Sequence, residues 1–340
     1  MSKRLLIVGS NSIHVYNFII LVEDFFDEIL LLTDRKNQNY NVSSFELDFS
    51  LGLGSILTIQ KINHIAKEFK PTVIHMHQAN SYAFLTLVAL RHLNIQKILT
   101  AWGSDILINP GKNIFFKKMV QYILNHVDKV TADSNVVLHE ANKLILKNLE
   151  TYNINFGLEV PECNGAKDNM IYTNRLHKKL YNIDKILISF SKFVLKFPDW
   201  KLIIAGIGEE TDNLKNLSYQ LDLDEHIEFI GFVDSKINYE YYCKAKIYVS
   251  IPSSDSVSLS LIEAIICGAI PFVSDLAANR EIMNEKIGYI VNDEENIDFL
   301  KYQEIDNLKF EKERKKIEKL FSKDVNRRKY LSLYEDKKQK

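Results

Sequence analysis

The chain has 340 residues, 46% of them hydrophobic, with 43 Lys and Arg against 44 Asp and Glu and a formal net charge of −1. That length predicts two domains, and the apolar content is enough for two sizeable cores. The charge balance excludes a globally basic nucleic-acid binder, and the composition excludes disorder over the bulk of the chain.

At the start of the chain, Gly9, Ser10, Asn11 and His14 interrupt the apolar runs. A signal peptide is therefore not expected. Short runs rich in Ile, Val and Leu predict strands over 5–8, 29–33, 73–76, 97–101 and 129–132, with a weaker one over 151–155. Such unbroken runs suit strands buried on both faces, as in a parallel sheet. Helices are expected between them over 56–69, 113–126 and 136–149. Residues 156–167 (FGLEVPECNGAK) carry little periodicity, so the hinge between domains is placed there. The alternation then resumes. Strands are expected over 170–173, 202–205, 227–230, 247–250, 271–274 and 289–291, and helices over 184–197, 212–221, 238–243 and 259–267. This order predicts an α/β fold of crossover connections, with its site at the carboxyl ends of the strands.

In residues 309–340 basic side chains outnumber acidic ones, and Leu320, Phe321, Tyr330, Leu331, Leu333 and Tyr334 form an apolar stripe. The segment reads as a terminal helix with a solvated face, or as one that also feels an anionic membrane surface. No apolar run reaches the roughly 18–20 residues of a membrane span. Cys163, Cys243 and Cys267 are far apart in sequence and form no CxxC pair. The expectation is a reducing cytoplasm, with neither a disulfide nor a zinc site.

The most specific chemistry lies over 250–281. A loop of small residues feeds a helix that starts near Leu259. The backbone N–H groups of Ser258, Leu259 and Ser260, at the positive end of a helix dipole, suit a diphosphate. Glu263 lies among apolar neighbours and needs a partner there. Ribose hydroxyls would serve, and so would an ordinary contact at the edge of the core.

Asp255, seven intervening residues, Glu263, and then AIICGAIPFVSD and AANREI together resemble family 4 of the retaining glycosyltransferases, which have the GT-B fold. The family usually has Glu where Asp255 stands. Arg175, in Asn174-Arg175-Leu176, is similar to the family's strand-end Arg that binds the donor pyrophosphate, a task suited to a bidentate, permanent charge. The family's following Lys position holds Leu180, so Lys178 or Lys179 would substitute, and Lys179 is taken as the donor ligand. Gly206 and Gly208 resemble the glycine turn after the next strand. Ile230-Gly231-Phe232-Val233 resembles the strand end near the nucleotide base. In the first half, Gly9, Asn11 and His14 resemble the loop that approaches the substrates, and His75 ends a strand on the acceptor side. Asp105, in Ala101-Trp102-Gly103-Ser104-Asp105, is similar to an acceptor-lining aspartate. The resemblance makes Asp105, with Asp255, a catalytic candidate, as a ligand of the acceptor hydroxyl; the other reading is an Asx-turn or helix cap.

The resemblance implies two Rossmann-like, doubly wound domains facing a central cleft. Residues 1–158 would form the acceptor domain and 159–318 the nucleotide-sugar domain, with a basic helix over 319–340 packing back on the first. It implies a retaining, metal-independent hexosyl- or glycosyltransferase without a cofactor, using a nucleotide sugar, foremost a UDP-sugar. The acceptor would be a glycan or lipid-linked glycan, in surface-polysaccharide or O-antigen (lipopolysaccharide) assembly. The enzyme would be cytoplasmic and peripheral on the cytoplasmic face of the membrane. Arg175, a nearby Lys and the N–H groups of Ser258–Ser260 would neutralise the leaving diphosphate. Asp255 would orient sugar hydroxyls or support an oxocarbenium-like centre.

Helix 113–126 pairs Phe115, Phe116, Met119 and Ile123 with Lys117 and Lys118. It reads as a core helix with a wet back, or as a shallow contact with anionic lipid. Asp222-Leu223-Asp224 spells DxD but reads as a solvated turn. His75 and His77 lack a third ligand for a metal. Two other functions stay open: a non-catalytic nucleotide-sugar-binding relative or subunit, and a UDP-sugar epimerase of GT-B fold.

Overall fold

In the computed structural model, which describes residues 2–145, 148–255 and 258–335, the chain divides into two units. The first comprises residues 1–157 and 323–340, and the second 158–322. The first unit holds strands β1 (Arg4–Val8), β2 (Glu28–Thr33), β3 (Ser44–Glu46), β4 (Val73–His77), β5 (Gln96–Thr100), β6 (Lys129–Ala132) and β7 (Glu150–Asn153). They form one sheet in the order β3-β2-β1-β4-β5-β6-β7, and every pairing in it is parallel. Its helices are α1 (Ile13–Val22), α2 (Ser55–Phe69), α3 (Ser81–Leu90), α4 (Ser104–Leu107), α5 (Asn109–Lys112), α6 (Ile114–His126) and α7 (Asn135–Leu144).

The second unit holds β8 (Asp168–Thr173), β9 (Lys201–Ala205), β10 (Ile227–Gly231), β11 (Ala245–Ser250), β12 (Ile270–Ser274) and β13 (Tyr289–Val291). They form a parallel sheet in the order β10-β9-β8-β11-β12-β13. Its helices are α8 (Ile183–Val194), α9 (Thr211–Gln220), α10 (Ser235–Lys244), α11 (Leu259–Ile266), α12 (Ala277–Arg280) and α13 (Asn307–Phe321). In both sheets the strand order reverses beside the first strand of the unit, the place where doubly wound sheets open a crevice at their carboxyl ends.

The central strands are buried on both faces. Leu5, Leu6, Ile7 and Val8 of β1 are wholly inaccessible, which is why they read as one apolar run. Helices α1 and α3 escaped the sequence analysis for a related reason. IHVYNFIILV and SYAFLTLVAL bury six residues each around most of their circumference, so no polar stripe marks a period of 3.6. Their starts are nonetheless capped, by the side chains of Ser12 and Asn80. The helix expected over 136–149 stops at Leu144; positions 146 and 147 of that range lie outside the described residues.

The C-terminal stretch is two helices rather than one. It breaks at Ser322, between α13 and α14 (Lys323–Glu335); residues 336–340 lie outside the described ones. Phe310, Ile317 and Phe321 of α13 pack into the second unit. Tyr330, Leu333 and Tyr334 of α14 pack into the first, against Phe18 and Phe26.

The cysteines overturn the sequence expectation. The sulfurs of Cys163, Cys243 and Cys267 lie within 4.8 Å of one another, and Cys163 and Cys243 are joined in a disulfide. Folding lays the segment at the start of the second unit over the ends of α10 and α11. A separation of 80 residues along the chain therefore did not keep the pair apart. No helix among the described residues is long and apolar enough to cross a membrane.

Candidate functional site

In the second unit, the carboxyl end of β8 delivers Arg175 into a cluster of polar side chains. Its Nη2 donates to Asp255 Oδ2 at 2.5 Å and its Nη1 to Ser258 Oγ at 2.8 Å. The guanidinium carbon lies 4.5 Å from the centre of the Tyr181 ring. Burial works against the guanidinium charge, but Tyr248, Asp255 and Tyr181 outweigh it and hold the pKa above its usual value. The result is a rigid, permanently charged fork at a strand end, the geometry that reads a phosphate or carboxylate bidentately. Ser258 also caps α11, accepting from Leu261 N. The first-turn N–H groups of Leu259 and Ser260 have no intrahelical acceptor, so the helix adds its positive end to the same place. Positions 256 and 257 of the small-residue loop lie outside the described residues.

The glycine turn is tied to this loop by close approach. Gly206 has φ +107°, and a Cβ there would sit 2.4 Å from the Arg175 carbonyl oxygen; one on Gly208 would sit 2.3 Å from that of His177. Only residues without a side chain let the backbone after β9 lie against the Arg175 segment. Gly206 N–H donates to Gly231 O at 2.7 Å, joining the end of β10 to the same turn, with Phe232 beyond it 75% exposed. Lys179 is exposed in the short turn that leads to Tyr181.

A tyrosine network beside Arg175 went unnoticed in the sequence. Asn174 Nδ2 donates to Tyr242 Oη at 2.7 Å and Asn238 Oδ1 at 3.0 Å, while Tyr248 Oη donates to Asn174 Oδ1 at 3.1 Å. Tyr239 Oη donates to Glu263 Oε1 at 3.1 Å. Burial raises the Glu263 pKa, and the hydroxyls of Tyr239 and Tyr242 pull part of that rise back. Glu263 therefore has a partner inside the protein as well as an outward face. The available signal was the spacing of Tyr239 and Tyr242, three apart on one face of α10.

In the first unit the expected residues separate. Gly9 follows β1, and a Cβ there would meet Val15 Cγ2 at 2.8 Å, so glycine lets the loop close onto α1. Asn11 N–H donates to Asp34 Oδ1 at 2.8 Å. His14 sits edge-on to Trp102, ring centres 5.4 Å apart. His75 departs from its expected acceptor-side place. It is wholly buried, with Nδ1 hydrogen-bonded to Tyr334 Oη and Nε2 to Thr100 Oγ1, both at 2.7 Å. Helix α14 covers that position, which sequence alone could not show. Asp105 is likewise turned inward at 2% exposure. Its carboxylate accepts from Ala79 N at 2.6 Å and Trp102 N at 3.0 Å, so it braces two strand ends as an Asx-type clamp. Asp222 and Asp224 are exposed in the turn between α9 and β10.

Residues 159–321 match the family model of glycosyl transferases group 1, and residues 5–134 that of glycosyl transferase 4-like proteins. The chain belongs to the group 1 glycosyltransferases, of family 4 type. An uncharacterized glycosyltransferase of Haemophilus influenzae is 28% identical over 236 residues, covering 67% of this chain and 64% of that protein. The alpha-monoglucosyldiacylglycerol synthase of Streptococcus pneumoniae is 22% identical over 251 residues, covering 68% and 51%. The matches thus span between half and two thirds of these relatives' own lengths. Among solved structures, Anabaena HepE in complex with UDP superposes on this group 1 glycosyltransferase with a TM-score of 0.82 at 11% identity, over 98% of this chain and 100% of that one. Sucrose-phosphate synthase from Thermosynechococcus elongatus gives 0.77 at 14%, over 98% of each. The fold is GT-B.

Proposed function

We propose that this chain is a retaining, metal-independent glycosyltransferase that uses a UDP-sugar and glycosylates a hydroxyl of a lipid-linked glycan in cell-surface polysaccharide or O-antigen assembly. The observation that carries the donor half is Arg175, aimed at the first turn of α11 between Asp255 and Ser258. One structural relative, Anabaena HepE, crystallised with UDP and with UDP-glucose, supports the choice of nucleotide. In this reading the diphosphate replaces the Asp255 carboxylate on Arg175, and Lys179 with the N–H groups of Leu259 and Ser260 completes its neutralisation. Asp255, released, turns to the donor sugar. Glu263 accepts hydroxyls of the ribose, held in place by Tyr239. The acceptor oxygen attacks the anomeric carbon on the face the leaving group departs from. The bond from that carbon to the diphosphate breaks, and a diphosphate oxygen takes the acceptor's proton.

The acceptor half rests on the relative named for monoglucosyldiacylglycerol and on the surface of the first unit. Leu107, Ile108, Ile114 and Phe115 are 40–69% exposed on α4 to α6, beside Lys112, Lys117 and Lys118. Apolar side chains ringed by lysines suit shallow contact with an anionic cytoplasmic leaflet.

The test is thermal unfolding against UDP, GDP, CDP, TDP, ADP and NAD, with Arg175→Ala alongside. A ligand at about 100 times its dissociation constant adds about 2.7 kcal/mol, which moves the midpoint by a few degrees. The expected result is a shift with UDP that Arg175→Ala abolishes. No shift with any diphosphate overturns the donor site, and a shift with NAD alone overturns the enzyme class.

A further inference from the structure

At the amino ends of the second unit's strands, away from the Arg175 site, lies a cavity of about 710 Å³. Its wall includes Cys163, Cys243, Cys267, Lys167, Lys246 and Arg314. Cys163 and Cys243, joined in a disulfide, are both half-buried and both line this cavity. Cys267 is 1% exposed, and burial pushes its thiol pKa up to about 12. A thiol so buried and so weakly acidic is a poor nucleophile and stays out of exchange.

The disulfide ties together two segments 80 residues apart in the chain. Cys163 lies in the segment that opens the second unit, and Cys243 in the last turn of α10. From the same segment, Lys167 Nζ donates to Tyr242 O at 2.9 Å and to Cys267 O at 2.7 Å, so it clamps the ends of α10 and α11 together. These are the helices that carry Tyr239, Tyr242 and Glu263.

We infer that Cys163 and Cys243 form a reversible thiol–disulfide site that exchanges with a small disulfide of the glutathione class entering this cavity, and that the bond tightens the end of α10. In the oxidising direction one cysteine thiolate attacks the small disulfide, forming a mixed disulfide and releasing one small thiol. The second cysteine then displaces the other. Two cysteine thiols and one small disulfide become one protein disulfide and two small thiols, so atoms and electrons balance. The inference stands on the cavity and the cysteines alone, independently of the donor reading.

The test equilibrates the full chain over a range of reduced-to-oxidised glutathione ratios, followed by denaturing alkylation and mass spectrometry. The expected result is one two-electron transition in which Cys163 and Cys243 lose alkylation together while Cys267 is alkylated throughout. Across it, amide exchange over 241–244 should slow at least about threefold on oxidation. Cys267→Ser should leave the transition in place, and Cys163→Ser should remove it. Should Cys163→Ser fail to fold, the unmodified chain and Cys267→Ser still decide. The inference is overturned by a bond that never forms, by one that persists at every ratio until the chain unfolds, or by pairing with Cys267. It is also overturned if the reduced protein binds one equivalent of zinc and Cys267→Ser loses it, since the trio is then a metal centre.

Discussion

At the scale of single residues, the ion pair between Arg175 and Asp255 sets the expectation for substitution. Its side chains are only 11% and 23% exposed, so each loses a buried partner when the other is removed. Arg175→Ala should weaken UDP binding by at least about tenfold, because charged hydrogen bonds are worth roughly 1.5–3 kcal/mol each. Arg175→Lys should recover only part of it, since a point charge lacks the fork. Isothermal calorimetry with UDP checks both. Undiminished affinity in Arg175→Ala would move the diphosphate elsewhere.

His77 gives a second expectation at this scale. It is 1% exposed, neither ring nitrogen has a hydrogen-bond partner among the described residues, and burial with nearby His14 lowers its pKa to about 3. Unfolded, it titrates near 6.5. Between those values the unfolded chain binds more protons than the folded one. His77 therefore makes the first unit lose stability as pH falls from about 6.5 toward 3, by up to about 1.4 kcal/mol per unit. Urea unfolding at pH 7 and pH 5 should show His77→Phe losing less over that interval than the unmodified chain.

At the scale of elements, close approach matters more than propensity. Helix α10 and the strand ends are held by tyrosine hydroxyls, and the turn after β9 by the absence of a side chain. Gly206→Ala would require a Cβ at φ +107° and 2.4 Å from a backbone oxygen. The left-handed strain alone costs roughly 1–2 kcal/mol, and the contact adds to it. The expected outcome is a second unit destabilised by more than about 2 kcal/mol, with UDP affinity lost through displacement of the Arg175 loop. Gly52→Ala, with open space around its Cβ position, is the control and should change neither.

At the scale of the whole molecule, the chain leaves the first unit at residue 157 and returns to it at 323. Helix α14 is thus part of a core assembled from both ends of the sequence. Tyr330 is fully buried beside Phe18, and Tyr334 is bonded to His75. A chain ended at Ser322 should unfold its first unit at markedly lower temperature, since losing one large buried aromatic costs about 3–5 kcal/mol. Its second unit, continuous over 158–322, should keep its own transition and its response to UDP. Differential scanning calorimetry with and without UDP separates the two transitions. A single cooperative transition lowered as a whole would contradict that independence.

The sequence by itself determined every strand but the short edge strand β3, together with the α/β class and the donor signature. Runs such as Leu5–Val8 are apolar on both faces because the strands are covered on both faces, and Asp255 and Glu263 stand in a spacing set within one loop and the helix it feeds. Helices α1 and α3 stayed hidden because uniform burial erases their periodicity. The tertiary structure alone decided which polar groups meet. It put Tyr239 on Glu263, turned Asp105 and His75 inward, brought α14 over β4, and joined Cys163 to Cys243. Those contacts span tens to hundreds of residues, and no local pattern encodes them. They arise from the order of strands in the sheet, which fixes which loops are neighbours.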